Sequence, residues 1–235
     1  MAGMVAIKNV PVTGTLSDEE VVSRVLEGER NLFEVLMRRY NQRIYRAIRG
    51  ILRKEQEVED TMQQAYLLAY AHLGEYAGAS SFSTWLTRIA MNEAFACLRK
   101  LRRLTIVEEV PDFAEDVMRS PAESPEHQAV GQESLRLIES AVDKLPWLHR
   151  TAFMLRDVEQ LSTDEASEIL GISKQAVRVR LHRARRALPG ALAVAVGRFA
   201  PGESALPQAF AFLGRRCDRM VAAIMAAIDR AEPVV

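Results

Sequence analysis

The stretch SKQAVRVRLHRARRAL, residues 173–188, follows the turn-like LGIS and holds one Lys, five Arg and one His in about four helical turns. Advancing about 100° per residue sorts its faces. Val177, Leu181, Ala184 and Leu188 share a narrow arc, which must be the buried one. The opposite arc carries Gln175, Val179, His182 and Arg186, flanked by Arg178 and Arg183. Arg180 and Arg185 point nearer the apolar side, where they suit internal ion pairs or snorkelling. Guanidinium groups, an amide and a small apolar side chain are what base edges require: Arg for guanine, Gln for adenine, Val for a thymine methyl. Ser173 caps the start, and the helix N-terminus beside Lys174 favours phosphate. Together with a short helix over 162–170 and a turn at Gly171-Ile172, the pattern is that of a helix-turn-helix. A solvated basic helix without a ligand is the competing reading of the charge alone.

Outward from this pair the chain reads as helix almost throughout, with no alternation long enough for a sheet. The fold class is therefore all-α. Ser17-Asp18-Glu19-Glu20 forms a capping box opening a helix over about 17–28. A second helix, about 30–53, buries Phe33, Leu36, Tyr40, Ile44, Ile48 and Ile51. A third, about 55–73, has its apolar stripe at Val58, Met62, Ala65 and Ala69. After the loop GEYAGASS (74–81), Ser81 or Ser83 caps a fourth helix running to about 103. Residues 104–133 hold three prolines and read as a linker. Helical periodicity resumes over about 132–144, 147–158, 162–170 and 173–188, and Pro189-Gly190 closes the block. A final helix, about 208–230, aligns Leu213, Cys217, Met220, Ile224 and Ile228. That stripe needs cover, from the chain's own domains or from a regulator.

Total charge names no partner, since 31 basic residues balance 31 acidic ones. Its distribution is more informative. Residues 1–103 carry 15 basic and 12 acidic side chains, residues 104–133 carry 1 and 8, and residues 134–190 carry 10 and 7. Two weakly basic blocks thus flank an acidic connector. Cys97 and Cys217 lie far apart without CxxC or HxxxH spacing, so neither a disulfide framework nor a zinc site is expected. No signal-peptide pattern or run of roughly 20 apolar residues occurs, which reads as a soluble chain kept in the cytoplasm. No Ser/His/Asp set, phosphate loop or metal constellation stands out. The chain is expected to have no catalysis, cofactor or small-molecule substrate.

Two faces of the N-terminal block invite partners. Opposite the buried stripe of the third helix lie Gln56, Asp60, Gln63 and Leu67, with Gln64 beside them. Leucine on a polar face suits docking to another protein. On the fourth helix the core arc is Phe82, Leu86, Ile89, Ala90 and Cys97. The outer arc is Arg88, Asn92, Phe95, Arg99 and Arg102, with Trp85 and Met91 beside it and Tyr76 in the preceding loop. Cations interleaved with aromatics suit unpaired, stacking bases.

VEDTMQQAYLLAY (58–70), FSTWLTRIAMNEA (82–94), LPWLHRTAFMLRDVEQLSTDEASEILGIS (145–173) and QAVRVRLHRARRAL (175–188), in this order, resemble bacterial sigma factors of the extracytoplasmic-function (ECF) group, in the sigma-70 family. The resemblance covers about 17–190. It implies an N-terminal tail (1–16) and a four-helix sigma domain 2 (17–103). An acidic linker (104–131), a helix-turn-helix sigma domain 4 (132–190) and a C-terminal extension (191–235) follow. It implies core RNA polymerase and promoter DNA as partners, and an anti-sigma factor or other regulator besides. Residues Gln56, Asp60, Gln63, Gln64 and Leu67 match the polymerase-docking helix. Tyr76, Trp85, Arg88, Asn92, Phe95, Arg99 and Arg102 match the segment that reads and melts the −10 element. Ser173, Lys174, Gln175, Arg178, Val179, His182, Arg183 and Arg186 match the −35 reading helix. The chain departs from the pattern of the family it resembles at Gln64, where a carboxylate is usual, and at Ala96, where Asp is common. Residues 191–235 lie outside the shared body. The alternative is a stand-alone helix-turn-helix regulator with an N-terminal sensing bundle. An enzyme with a DNA-binding appendage is a third reading, and it lacks a catalytic constellation.

Overall fold

Periodic apolar residues, capped at their starts, produce ten α-helices among the described residues. A computed structural model describes residues 16–107, 126–188 and 205–230, apart from the side chains of 104–107 and 126–132. The expected N-terminal tail, most of the linker, and the start and end of the extension lie outside the described residues. The helices are α1 (Asp18–Leu26), α2 (Phe33–Arg49), α3 (Glu55–Ala71), α4 (Phe82–Val107), α5 (Glu126–Asp143), α6 (Trp147–Phe153), α7 (Thr163–Leu170), α8 (Lys174–Ala187), α9 (Ala205–Ala209) and α10 (Arg215–Arg230). No strand occurs among the described residues.

The expected caps form. Ser17 and Ser162 each close a reciprocal capping box, with Glu20 and Glu165 reaching back to the cap backbone. Ser81 Oγ accepts from the Thr84 amide at the start of α4, and Ser173 Oγ accepts from the Ala176 amide at the start of α8. α5 begins at Glu126, earlier than the periodicity after 132 suggests.

The N-terminal lobe stacks α1 to α4 around Phe33, Leu36, Ile44, Ile48, Val58, Met62, Ala65, Ala69 and Leu86, all within 1% of complete burial. Phe33 sits edge-on to Tyr66 and Tyr70. In the C-terminal lobe α6 packs on α8, and α7 packs on α8. α6 continues into a π-helical turn over Met154–Val158, and Gln160 at φ 56° redirects the chain towards α7.

Two arcs differ from expectation. Met91 is fully buried, whereas Ile89 and Cys97 are only partly so. The cause is that α4 packs on α2 and α3 from one side and against α7 from another, so its covered arc is wider and rotated. Leu213 is 69% exposed instead of buried. It precedes the helix: Gly214, at φ 59°, turns the chain and α10 begins at Arg215, so helical spacing cannot include residue 213. The tail inserts Phe210 and Phe212 instead, each 1% exposed, followed by Met220, Val221, Ile224 and Ile228.

Candidate nucleic-acid interface

α8 is held by its apolar arc. Val177, Leu181, Ala184 and Leu188 are buried against the lobe. Gly171, left-handed at φ 62°, ends α7 and sets the angle of the pair, and Ser167 Oγ donates to the Ile172 carbonyl across the turn. The opposite side faces water. Ser173, Lys174, Gln175, Arg178, Val179, His182, Arg183 and Arg186 are all exposed. Lys174 Nζ reaches Asp164 at 2.8 Å, an exposed pair that a phosphate could replace at little cost. Arg185 turns back to Asp157 through two bonds of 2.6 and 2.9 Å, the internal ion pair its position suggests. α8 thus presents amide, imidazole, guanidinium and a 38% exposed valine on one side.

The second basic face runs along α4. At its start Tyr76, Phe82 and Trp85 form an aromatic cluster, each pair of ring centroids 5.5 Å apart. Tyr76 Oη donates to the Ser80 carbonyl, fixing the loop on the helix. Arg88, Asn92, Arg99 and Arg102 are exposed. Arg99, Lys100 and Arg103 border a shallow groove with Ala96. The 82–102 span is about 30 Å long, enough to follow several nucleotides.

Part of this face is already occupied. Trp147, at the start of α6, sits edge-on to Phe95 with centroids 5.6 Å apart, and the Arg102 guanidinium lies 5.8 Å from the Trp147 ring centroid. Arg88 faces Glu168 of α7 at 4.0 Å. Trp147 escaped the sequence reading, which gives it no role of its own. Its position after Leu145-Pro146, at an exposed helix start, was the available signal.

The docking candidates gather on one side of α3. Gln56, Asp60 and Gln64 are exposed and Gln63 and Leu67 half-buried, with Gln56 Nε2 donating to Asp60 at 2.8 Å. No described helix is long and apolar enough to cross a membrane.

Comparison with known proteins bears on these surfaces. The family described as Sigma-70 region 2 matches residues 36–104, and the family described as Sigma-70, region 4 matches residues 135–188. The chain is 33% identical over 180 residues to the RNA polymerase sigma-H factor of Pseudomonas aeruginosa, covering 74% of this chain and 93% of that protein. It is 30% identical over 180 residues to the ECF RNA polymerase sigma factor SigW of Bacillus subtilis, covering 71% and 92%. Its fold resembles that of the sigma factor RpoE from Bartonella quintana, solved in complex with the anti-sigma factor NepR (TM-score 0.52, 24% identity, covering 73% of this chain and 98% of that one).

Proposed function

The chain belongs to the ECF group of the sigma-70 family, and from that membership we infer which of its surfaces does which part of starting transcription. It binds core RNA polymerase and directs it to promoters. The side of α3 carrying Gln56, Asp60, Gln63, Gln64 and Leu67 docks on the polymerase. The outward face of α8 enters the major groove of the −35 element, with Gln175, Arg178, Val179, His182, Arg183 and Arg186 against base edges and Ser173 and Lys174 against phosphate. Tyr76, Trp85 and the α4 face of Arg88, Asn92, Phe95, Arg99 and Arg102 receive unpaired bases of the −10 element. Stacking and hydrogen bonding there offset an unstacking cost of a few kcal/mol.

The observation that carries this reading is the sidedness of α8: its apolar arc is buried while every base-competent side chain opposite stands exposed. Had neighbouring helices covered Gln175, His182 and Arg186, the assignment would fail. The chain has no chemistry of its own in this scheme, and it works in the cytoplasm, where polymerase is. Residues 17–103 and 132–190 are the two working lobes, and a protein regulator of the anti-sigma kind is a further partner. Transcription with purified core polymerase is the test. Promoter-dependent RNA above core alone is expected, and its absence defeats the reading. A gel shift of the isolated chain separates it from the stand-alone regulator, which requires tight duplex binding without polymerase.

A further inference from the structure

The two lobes are not independent in this structure, and the C-terminal tail helps to hold them together. At the junction, Arg150 of α6 is 1% exposed and donates to the Gly50 and Ile51 carbonyls that end α2, at 3.0 and 2.6 Å. Thr151 Oγ1 donates to the same Gly50 carbonyl. Gly50 has an ordinary helical φ of −62°, so its backbone does not require glycine. Space does: a Cβ there would meet Thr151 Cα at 3.1 Å and Met154 Cβ at 3.3 Å. Arg49 adds a bidentate pair to Asp143 of α5, both bonds 2.6 Å.

The tail crosses this junction. Arg46 of α2 reaches Glu159 beyond α6 at 2.6 Å, and the same guanidinium donates to the Pro207 and Phe210 carbonyls of the tail. Gln42 brackets the tail backbone, donating to the Phe210 carbonyl and accepting from the Phe212 amide. Phe212 stacks on Tyr45 at 5.0 Å, and Arg216 covers the Phe212 ring at 4.8 Å while pairing with Glu55 and Glu59. α9 packs on α5 of the other lobe. The tail therefore touches α2 and α3 on one side and α5 on the other. It lies beyond both matched family regions, which end at residues 104 and 188.

In this closed arrangement Trp147 occupies Phe95 and Arg102, and α7 lies against α4. We propose that residues 205–230 are an intramolecular clasp: docked across both lobes, they hold the chain closed with the Phe95–Arg102 part of the α4 face withheld from DNA, and their release is the activating step. This rests on the reading of α4 as a base-binding surface. A segment that binds the closed form and not the open one shifts the population by its differential affinity alone, so removing it must shift the population back. Its contacts with α5 and with Arg46 at the junction are that differential term.

The test compares three forms: the full chain, the chain ending at residue 204, and the full chain carrying Phe212→Ala with Arg216→Ala. Fluorophores placed by click chemistry at the exposed positions Glu27 and Ala187 report lobe separation by energy transfer. RNA made on sheared genomic DNA of the source bacterium, with its core polymerase, reports activity. Both altered forms are expected to lose energy transfer, and a synthetic 205–230 peptide is expected to restore it to the truncated chain. Promoter-directed RNA at limiting concentration is expected to rise by on the order of fivefold or more. Unchanged energy transfer in both altered forms, each retaining helical circular dichroism, overturns the clasp. Opened lobes without a gain in RNA overturn its inhibitory role. If no form directs promoter-dependent RNA even at saturation, the sigma-factor reading fails instead, and the energy transfer alone decides whether the tail holds the lobes.

Discussion

Arg46 Nη1 and Glu159 Oε1 meet at 2.6 Å where the N- and C-terminal lobes touch, with side chains only 13% and 8% exposed. A pair so withdrawn from water is dangerous to halve, because the remaining charge keeps its desolvation cost. Glu159→Ala is expected to lower stability by about 1–3 kcal/mol, read from urea unfolding of the full chain. Glu159→Gln, which keeps an acceptor for Arg46, is expected to lose less. Equal losses would mean that the hydrogen bond to Arg46 contributes nothing.

Gly50→Ala probes the junction by volume alone. The added methyl presses on Thr151 and Met154, an overpacking expected to cost about 1–3 kcal/mol unless the lobes part to accommodate it. The expected result is a lower unfolding midpoint or reduced energy transfer between the lobes. A variant indistinguishable from the parent in both would show that the close approach at Gly50 has no energetic weight.

Much of this architecture was legible beforehand, for identifiable reasons. Each capping box and each apolar stripe of α2, α3 and α8 depends on neighbours three or four positions away, and periodicity reports those neighbours directly. The inward turn of Arg185 followed from the same arithmetic and is met by Asp157. Contacts between segments distant along the chain left no such trace. Nothing local marks Gly50 as a packing glycine, Trp147 as a partner of Phe95, or Arg46 as the meeting point of three segments. Met91 falls on the outer side by the arithmetic of α4 alone, and nothing local shows that α4 also packs against α7. The tail stripe failed at Leu213 because the helix expected over about 208–230 breaks after Ala209 and resumes only at Arg215, past the left-handed Gly214. The outward side of α8 was readable because exposure there needs only that its opposite side be buried.

Gln175→Ala is expected to relax discrimination at one position of the −35 element by about 1–3 kcal/mol, measured with holoenzyme on a set of single-base promoter variants. Lys174→Ala, at the position proposed above to meet phosphate, is expected to weaken all variants alike. If Gln175→Ala also weakened all sequences uniformly, Gln175 would not be a base reader.

On α3, Gln64 is exposed, and the family resemblance implies a carboxylate at its position. Gln64→Asp is expected to strengthen binding to core polymerase several-fold, and Asp60→Ala to weaken it, in competition against a labelled sigma factor. Neither should move the unfolding midpoint by more than about 0.5 kcal/mol, because both positions are exposed. Unaltered polymerase binding in both would move the docking surface off this side of α3.

Acid should loosen the helix-turn-helix at a defined point. The Ser162 hydroxyl and backbone hold the Glu165 carboxyl below its ordinary value of 4.5. A carboxyl with a lower value folded than unfolded stabilises the fold above its unfolded value, and that contribution fades as pH falls through the folded value. Glu165→Gln should therefore be less stable than the parent at pH 7, by about 0.5–1 kcal/mol. The gap should close as pH drops below 4.5. A gap independent of pH would rule out the carboxylate charge as its source.

The tail lies C-terminal to both lobes, so a ribosome completes it after them. Because N-terminal units fold first as they emerge, each newly synthesised molecule passes through an interval in which both lobes are folded and the tail does not yet span them. If the tail restrains the molecule, a premature stop codon anywhere from 189 to 204 would yield a dominant, permanently active protein rather than a null. Genetic selection for constitutive expression would then recover nonsense alleles in that window, with missense alleles clustered at Gln42, Arg46 and Phe212.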